Sequence, residues 1–276
     1  MSTIVIRPHM LPGYADCERR AVSKAMPNLI EAAGFRLNED RRTAGGVIGS
    51  AVHLQAEYTL RHKIEHGTLG NDREAEQRAV QFLDEEAKLG VAWDETSPNQ
   101  YDAQRQVQRM THSYRRFLAP QLKPFLVETR LEARFNDRII VSGQTDLLTA
   151  EPGNVRDLKT GVQSRANQAQ LGSYILLSRS HGHKPERALE DWIKRNRLSK
   201  DQDPPVTFVY DVGVAERSAY AVLTRMDQAF AEFKHRLQVG HAPPEDAFLA
   251  NPASNLCSAK WCPAHGTRFC REWKPK

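Results

Sequence analysis

Two segments, Val141-Ser-Gly-Gln-Thr-Asp146-Leu-Leu148 and Val155-Arg-Asp157-Leu-Lys159-Thr-Gly161, predict the core of the fold. Apolar residues in each segment are interspersed with polar ones, as in strands that bury one face. Glu151-Pro-Gly-Asn154 separates the two segments, and neighbouring proline and glycine are typical of a tight turn. The sequence therefore predicts a hairpin of two strands.

The second strand of this hairpin places an acid beside an amine. Side chains alternate across a strand, so Asp157 and Lys159 point to one face while Leu158 points to the other, into an apolar core. Asp146, near the end of the first strand, can add a carboxylate at about the same depth. Carboxylates with open positions beside them suit Mg2+ or Mn2+, which promote phosphodiester hydrolysis. A single Asp-x-Lys is more often a surface salt bridge, so further residues must decide.

A helix follows in which Gln170 and Tyr174 lie one turn apart and share a face. If that face looks back at Asp157 and Lys159, both side chains could hydrogen-bond phosphate oxygens, and the tyrosine could stack on a base. In the alternative interpretation, Tyr174 packs into the core with the apolar residues of the helix.

Two upstream segments could contribute further ligands. Residues 125–135 alternate as a third strand, with Glu128 and Glu132 both on its polar face. The periodicity does not choose between these glutamates. Gly49 and His53 lie in a helix-like stretch of residues 43–66, where a single histidine is more often structural than a metal ligand.

The order of these motifs resembles the PD-(D/E)XK nuclease superfamily, and specifically its RecB-like branch. That branch has Gly-x-x-x-His, a strand glutamate, Gly-x-x-Asp, Asp-x-Lys-Thr-Gly and Gln-x-x-x-Tyr, in that order. The residues of this chain that match are Gly49 with His53, Glu128, Gly143 with Asp146, Asp157 to Gly161, and Gln170 with Tyr174.

The resemblance implies an α/β fold with a restriction-endonuclease-like core, a small mixed sheet flanked by helices. It implies a catalytic set of Asp146, Asp157, Lys159 and Glu128. Glu128 fits the family's usual distance ahead of the Gly-x-x-Asp motif better than Glu132 does. The metal ligands would be His53, Asp146, Asp157 and the backbone carbonyl of Leu158. Gln170 and Tyr174 would contact DNA.

Four cysteines form a second group, with Cys17 near the start and Cys257, Cys262 and Cys270 near the end. The first residues contain no apolar stretch of the length that a secretory signal needs, so we expect a cytoplasmic protein. Cysteines grouped in this way are then more often metal ligands than disulfides. Four thiolates can hold an iron-sulfur cluster or a tetrahedral zinc ion.

The distribution of these cysteines resembles the iron-sulfur nucleases that include AddB and the CRISPR-associated RecB-like exonucleases, and it implies a [4Fe-4S] cluster. The late cysteines are separated by four and seven residues, gaps longer than the commoner spacing of that group. The longer gaps leave Zn2+ as an alternative, with His265 replacing a thiolate. Either metal would tie the start of the chain to its end.

Charge and organisation are consistent with a nucleic-acid enzyme. The net charge of +5 combines 39 basic with 34 acidic residues, so any attraction for DNA must be local. No apolar run is long enough to span a membrane. We expect an arm and helical cap in 1–122, a nuclease core in 123–240 and a cysteine-rich tail in 241–276. Within the core, residues 185–197 predict a polar helical insertion.

The predicted function is Mg2+- or Mn2+-dependent DNA hydrolysis, as an exonuclease on single strands or duplex ends in recombination, repair or phage replication. One alternative is a non-catalytic DNA-binding or adaptor module with the same fold. Another is a CRISPR spacer-processing nuclease that acts in a complex. A homo-oligomer, or a recombination or CRISPR protein as partner, also stays open.

Overall fold

A computed structural model describes residues 3–150, 153–164 and 167–273. The strands are β1 (Ile4–Ile6), β2 (Pro124–Arg134), β3 (Ile139–Thr149), β4 (Asn154–Gly161), β5 (Arg187–Lys194) and β6 (Val206–Tyr210). The α-helices are α1 (Met10–Asp16), α2 (Glu18–Ala25), α3 (Pro27–Ala32), α4 (Ala44–His66), α5 (Asp72–Lys88), α6 (Gln100–Ser113), α7 (Gln168–Ser180) and α8 (Val212–Val239). A π-helical turn, Tyr114–Leu118, continues α6.

The strands form one mixed sheet in the order β1-β3-β4-β5-β6, and β2 pairs with the other edge of β3. The predicted hairpin is β3 and β4, although the first half of its turn, residues 151–152, lies outside the described residues. These two strands pair at Leu147 with Arg156 and at Leu148 with Val155. The paired register of the two strands ends at Leu147 and Arg156, so Asp146 is the next residue of β3 beyond it.

Residues 185–197 contain a sheet strand, and the prediction of a polar helix there was wrong. β5 is parallel to β4 and antiparallel to β6. Its residues Glu190 and Asp191 are 0% and 3% exposed. Adjacent charged residues are typical of a solvated helix face, and their sequence does not reveal that both have buried partners in the sheet.

Helices cover both faces of the sheet. One face packs against α7 and α8, together with the N-terminal arm and the C-terminal tail, through side chains such as Val155 and Ala188. The other packs against α4, α5 and α6, the predicted helical cap, through side chains such as Leu158 and Ile193. Three layers result, with the sheet in the middle. Among the described residues, no helix combines the length and the apolar character that crossing a membrane requires.

The N-terminal arm is built from short elements. It contains α1, α2 and α3, and its first described strand, β1, pairs in parallel with the start of β3. Three residues make a strand too short for its alternation to be recognised in the sequence.

Helix α4 has the bounds that the sequence predicts and brings one side of the cap against the sheet. The side chain of Thr43 accepts a hydrogen bond from the Gly46 amide at 3.2 Å and caps its first turn. A Cβ at Gly49 would lie 2.8 Å from the Thr160 hydroxyl oxygen, closer than real Cβ contacts. Glycine therefore allows α4 to approach β4, and His53 follows one turn later.

Candidate active site

His53, Glu128 and Asp146 converge from α4, β2 and β3. Their ligand atoms all lie within 4.8 Å of one another, and the described part of the chain forms no other such group. The Nδ1 atom of His53 is 3.4 Å from Glu128 Oε1 and 3.6 Å from Asp146 Oδ2. One imidazole and two carboxylates form a nitrogen and oxygen donor set that fits a divalent cation such as Mg2+ or Mn2+. We call this group the carboxylate-histidine cluster.

The backbone of Leu158 connects this cluster to β4. Its amide donates a hydrogen bond to Asp146 Oδ2 at 2.7 Å, and its carbonyl oxygen lies 2.9 Å from His53 Nε2. The carbonyl that the family resemblance implies as a metal ligand is therefore bonded to His53 in this structure. Because Nε2 donates to that carbonyl, Nδ1 is the nitrogen that faces the two carboxylates.

The electrostatic balance of the cluster favours a bound positive charge. Burial alone would lower the pKa of His53, but the charges of Asp146 and Glu128 raise it to about 9. Burial raises the pKa of Asp146 despite the positive charge of His53. Without a bound cation, an imidazolium therefore supplies part of the charge that the two carboxylates require at neutral pH, and a metal ion ligated by Nδ1 would take the place of its proton.

Asp157 and Lys159 form a second unit on the face of β4 toward α7. The Nζ atom of Lys159 lies 2.6 Å from Asp157 Oδ2, and Gln170 Nε2 donates to Asp157 Oδ1 at 3.1 Å. Burial raises the pKa of Asp157 to about 6 despite the charge of Lys159. Burial would lower the pKa of Lys159, but the charges of Asp157 and Asp146 raise it. Lys159 is thus a protonated donor at neutral pH.

The helix face that carries Gln170 and Tyr174 looks back at Asp157, as the sequence suggests. Both side chains are buried, and Gln170 Nε2 lies 3.4 Å from the Tyr174 hydroxyl. Tyr174 also packs in the core with Leu171 and Ile175. The structure therefore shows Gln170 holding Asp157, and it matches the core interpretation of Tyr174. Contact of either side chain with DNA stays a prediction.

The structure places Glu128, and not Glu132, at the cluster. Val127 pairs with Leu147 and Thr129 pairs with Thr145, which sets Glu128 across from Asp146. Glu128 has a φ of 45°, in the left-handed region that is unfavourable for a residue with a side chain. Gln144 Nε2 donates to Glu128 Oε2 at 2.8 Å and fixes the carboxylate. Glu132 is exposed on the same strand.

A buried glutamate that the sequence did not single out lies next to Asp157. Glu190 on β5 pairs in register with Asp157. It accepts hydrogen bonds from Asn167 Nδ2 at 2.7 Å and Ser164 Oγ at 3.1 Å. Burial raises the pKa of Glu190. Glu190 therefore ties the segment after β4 to the start of α7. The signal in the sequence is the pair Glu190-Asp191 flanked by apolar residues on both sides.

An ion pair supports the cluster from the side of the cap. Arg156 donates two hydrogen bonds to Asp191, at 2.8 and 2.6 Å. Both residues line the same small pocket as His53 and Asp146. Because the pair is largely buried, removing one partner would leave a charge without compensation beside the site.

The four cysteines come together at the junction of the arm and the tail. Cys17, Cys257, Cys262 and Cys270 line one pocket together with His265. Burial raises the pKa of the Cys262 thiol to about 11. The arm and tail also bond directly, since Arg19 donates to the carbonyl oxygens of Phe248 at 2.9 Å and Phe269 at 3.1 Å. These hydrogen bonds hold the arm and the tail together, and with them the thiols that each carries.

Comparisons with known proteins agree with this architecture. A sequence model of the PD-(D/E)XK nuclease superfamily matches residues 8–270. A crystal structure from Eubacterium rectale, described as a "Putative exonuclease", aligns over 92% of this chain and 86% of its own. Its TM-score is 0.58 and its sequence identity is 11%, so the likeness concerns the fold alone. The helix-flanked mixed sheet confirms the predicted α/β, restriction-endonuclease-like fold.

Two further comparisons add no argument. The crystal structure of SSO0001 aligns over 79% of this chain and 93% of its own, with 12% identity and a TM-score of 0.26. A comparison with curated proteins finds no match.

Proposed function

Because this chain belongs to the PD-(D/E)XK nuclease superfamily, we propose that it is a Mg2+- or Mn2+-dependent deoxyribonuclease of the RecB-like branch. The observation that carries the proposal is that the carboxylate-histidine cluster and the pair of Asp157 and Lys159 meet at Leu158. The carboxylate-histidine cluster bonds to the backbone of Leu158, and Asp157 and Lys159 flank it in sequence. A cation site and a protonated amine are thus held at one point of the sheet.

His53, Glu128 and Asp146 would hold the cation. Asp157, which the family resemblance implies as a further ligand, lies outside their group and is bonded to Lys159 and Gln170. The cation would neutralise charge on the scissile phosphate and lower the pKa of the attacking water. In the hydrolysis, the attacking water gives up a proton to the solvent as its oxygen bonds to phosphorus, the bond to one ester oxygen breaks, and that oxygen leaves with a proton taken from the solvent. Two of the cluster residues also hold Leu158, so the ligands are fixed before substrate arrives.

Lys159 would act on the phosphate or on the attacking water. Its raised pKa keeps it protonated, so it donates hydrogen bonds and compensates negative charge rather than accepting a proton. Asp157 orients the amine at 2.6 Å, and Gln170 in turn orients Asp157. A non-catalytic DNA-binding module would not need this chain of contacts, and we therefore favour the enzyme.

We further propose an exonuclease that acts on single strands or duplex ends in recombination, repair or phage replication. This assignment rests on the family resemblance of the motifs. A spacer-processing nuclease in a CRISPR complex would use the same chemistry with a protein partner.

For the cysteine pocket we propose a [4Fe-4S] cluster, with Cys17, Cys257, Cys262 and Cys270 as ligands. The proposal is supported by the convergence of all four thiols, from the arm and from the tail, on one pocket. Zinc, with His265 of the same pocket replacing a thiolate, is the alternative. Ligation would stabilise the junction of the arm and the tail.

The experiment that tests the nuclease proposal uses end-labelled single-stranded and duplex DNA with Mg2+, Mn2+ or EDTA. Wild type should degrade DNA only with the metal, and Asp157→Ala purified identically should not. The product ladder would give the direction and mode of digestion. Retained DNA binding without cleavage under any metal would contradict the enzyme and favour the adaptor module.

A further inference from the structure

An open groove of about 580 Å³ leads from the active site to the cysteine-rich tail. Its lining includes Lys159 and the residues that follow β4. It also includes Lys260 and Trp261, which belong to the tail. The groove therefore joins the reacting end of the sheet to a part of the chain more than one hundred residues away in sequence.

Lys260 and Trp261 place a cation and an aromatic ring side by side, the two features that bind the phosphate and the base of a nucleotide. The Nζ atom of Lys260 lies 4.8 Å from the centre of the Trp261 ring. Lys260 is exposed and Trp261 is half-buried. An ammonium beside an indole can contact a phosphate, and an indole ring can stack on a base. Both residues lie between Cys257 and Cys262, so the ligands of the tail would also fix the position of this loop.

The acidic side chains of the groove are compensated. Asp94 is bonded to Arg195 at 2.7 Å, and Glu95 lies 3.1 Å from Arg197. Burial raises the pKa of Asp94, but its hydrogen bond to Arg195 and others lower it overall, so it stays ionised and paired. Lys260, in contrast, has its cation over an aromatic ring, where it is available to a phosphate.

We propose that this groove binds one unpaired DNA strand, with Trp261 stacking on a base next to the scissile phosphate and Lys260 contacting the backbone. A base within a duplex cannot stack on a side chain in this way, so the inference makes single-stranded DNA the preferred substrate. The inference rests on the proposed function, because it places this strand on the way to Lys159.

The test measures binding of a fluorescein-labelled oligothymidylate in EDTA by anisotropy, so that cleavage does not interfere. Trp261→Ala should weaken binding about tenfold, a change within the range measured for loss of one base-aromatic stack. Trp261→Phe should restore most of the affinity. Tyr101→Ala removes an aromatic side chain that is 65% exposed and does not line the groove, and it should bind as wild type does.

A second probe separates stacking from charge. On an oligonucleotide of the same length without bases, Trp261→Ala and wild type should bind equally, while Lys260→Ala should weaken binding to both probes. Thermal unfolding and metal content of each variant would show that the tail remains folded. Equal binding of the oligothymidylate by well-folded Trp261→Ala and wild type would overturn the inference, even if wild type cleaves DNA. Conversely, Trp261-dependent binding without cleavage would support the groove and contradict the nuclease.

Discussion

The side chain of Asp146 accepts a hydrogen bond from the backbone amide of Leu158, at 2.7 Å to Oδ2, just beyond the last paired residues of β3 and β4. The same carboxylate faces His53 Nδ1 at 3.6 Å. One side chain of β3 therefore bonds to the backbone of β4 and also contributes to the candidate metal site. Its structural and its chemical roles can be separated by substitution.

Asp146→Asn keeps an oxygen that can accept the Leu158 amide but removes the negative charge. We expect its thermal stability to remain near that of wild type, while its affinity for Mn2+ falls by at least about tenfold. Asp146→Ala should lose both, and unfold with a free energy lower by about 1–3 kcal/mol because a buried amide is left without a partner. Calorimetric titration with Mn2+ and thermal unfolding measure the two effects. Equal Mn2+ affinity of Asp146→Asn and wild type would remove Asp146 from the ligand set.

Glu128 and Glu132 lie on one strand and provide a matched pair. Glu128→Gln should reduce metal-dependent cleavage by about 100-fold, because it removes one of the two carboxylate charges that would hold the cation. Glu132→Gln should cleave DNA as wild type does, because its side chain is exposed and outside the cluster. Initial rates at saturating Mg2+ make the comparison. A larger loss for Glu132→Gln than for Glu128→Gln would contradict the assignment.

We expect Glu190 to affect catalysis indirectly, by holding the segment between β4 and α7 in place. Glu190→Gln keeps an acceptor for Asn167, so we expect a stable protein with a modest loss of kcat. Glu190→Ala removes the acceptor of two hydrogen bonds, from Asn167 and Ser164, and the free energy of unfolding should fall by about 1–3 kcal/mol. Its KM should stay close to that of wild type, since Glu190 is fully buried. A wild-type kcat in Glu190→Ala would show that the hydrogen bond between Asn167 and Glu190 does not position the active site.

The tail can be tested independently of cleavage. Cys262→Ser should lose iron, the absorbance of an iron-sulfur cluster and several degrees of thermal stability, because metal ligation contributes to folding. Metal analysis of protein purified without oxygen gives the result. A well-folded Cys262→Ser protein with wild-type iron would refute Cys262 as a ligand, and zinc in wild type would favour the alternative ion.

The sequence predicts much of the centre of this molecule and less of its periphery. The hairpin strands carry Asp146, Asp157 and Lys159 at positions set by alternation, and the structure keeps them there. Alternation did not distinguish Glu128 from Glu132, because the left-handed backbone at Glu128 leaves no trace in the pattern.

Other features depend on contacts that are distant in sequence. β5 was mistaken for a helix because the partners of Glu190 and Asp191 come from the segment after β4 and from β4 and β6. The bond between His53 and the Leu158 carbonyl joins residues 105 positions apart. Such pairings become visible when the chain is folded, and local propensity does not encode them.

Single-turnover cleavage by Lys159→Ala tests the central claim most directly. With enzyme in excess over end-labelled single-stranded DNA and saturating Mg2+, we expect the rate to fall by at least about 100-fold while DNA affinity in EDTA stays within a few-fold of wild type. Thermal unfolding would show that the variant is folded. Cleavage at the wild-type rate by the folded variant would contradict a catalytic role for Lys159 and, with it, the proposed active site.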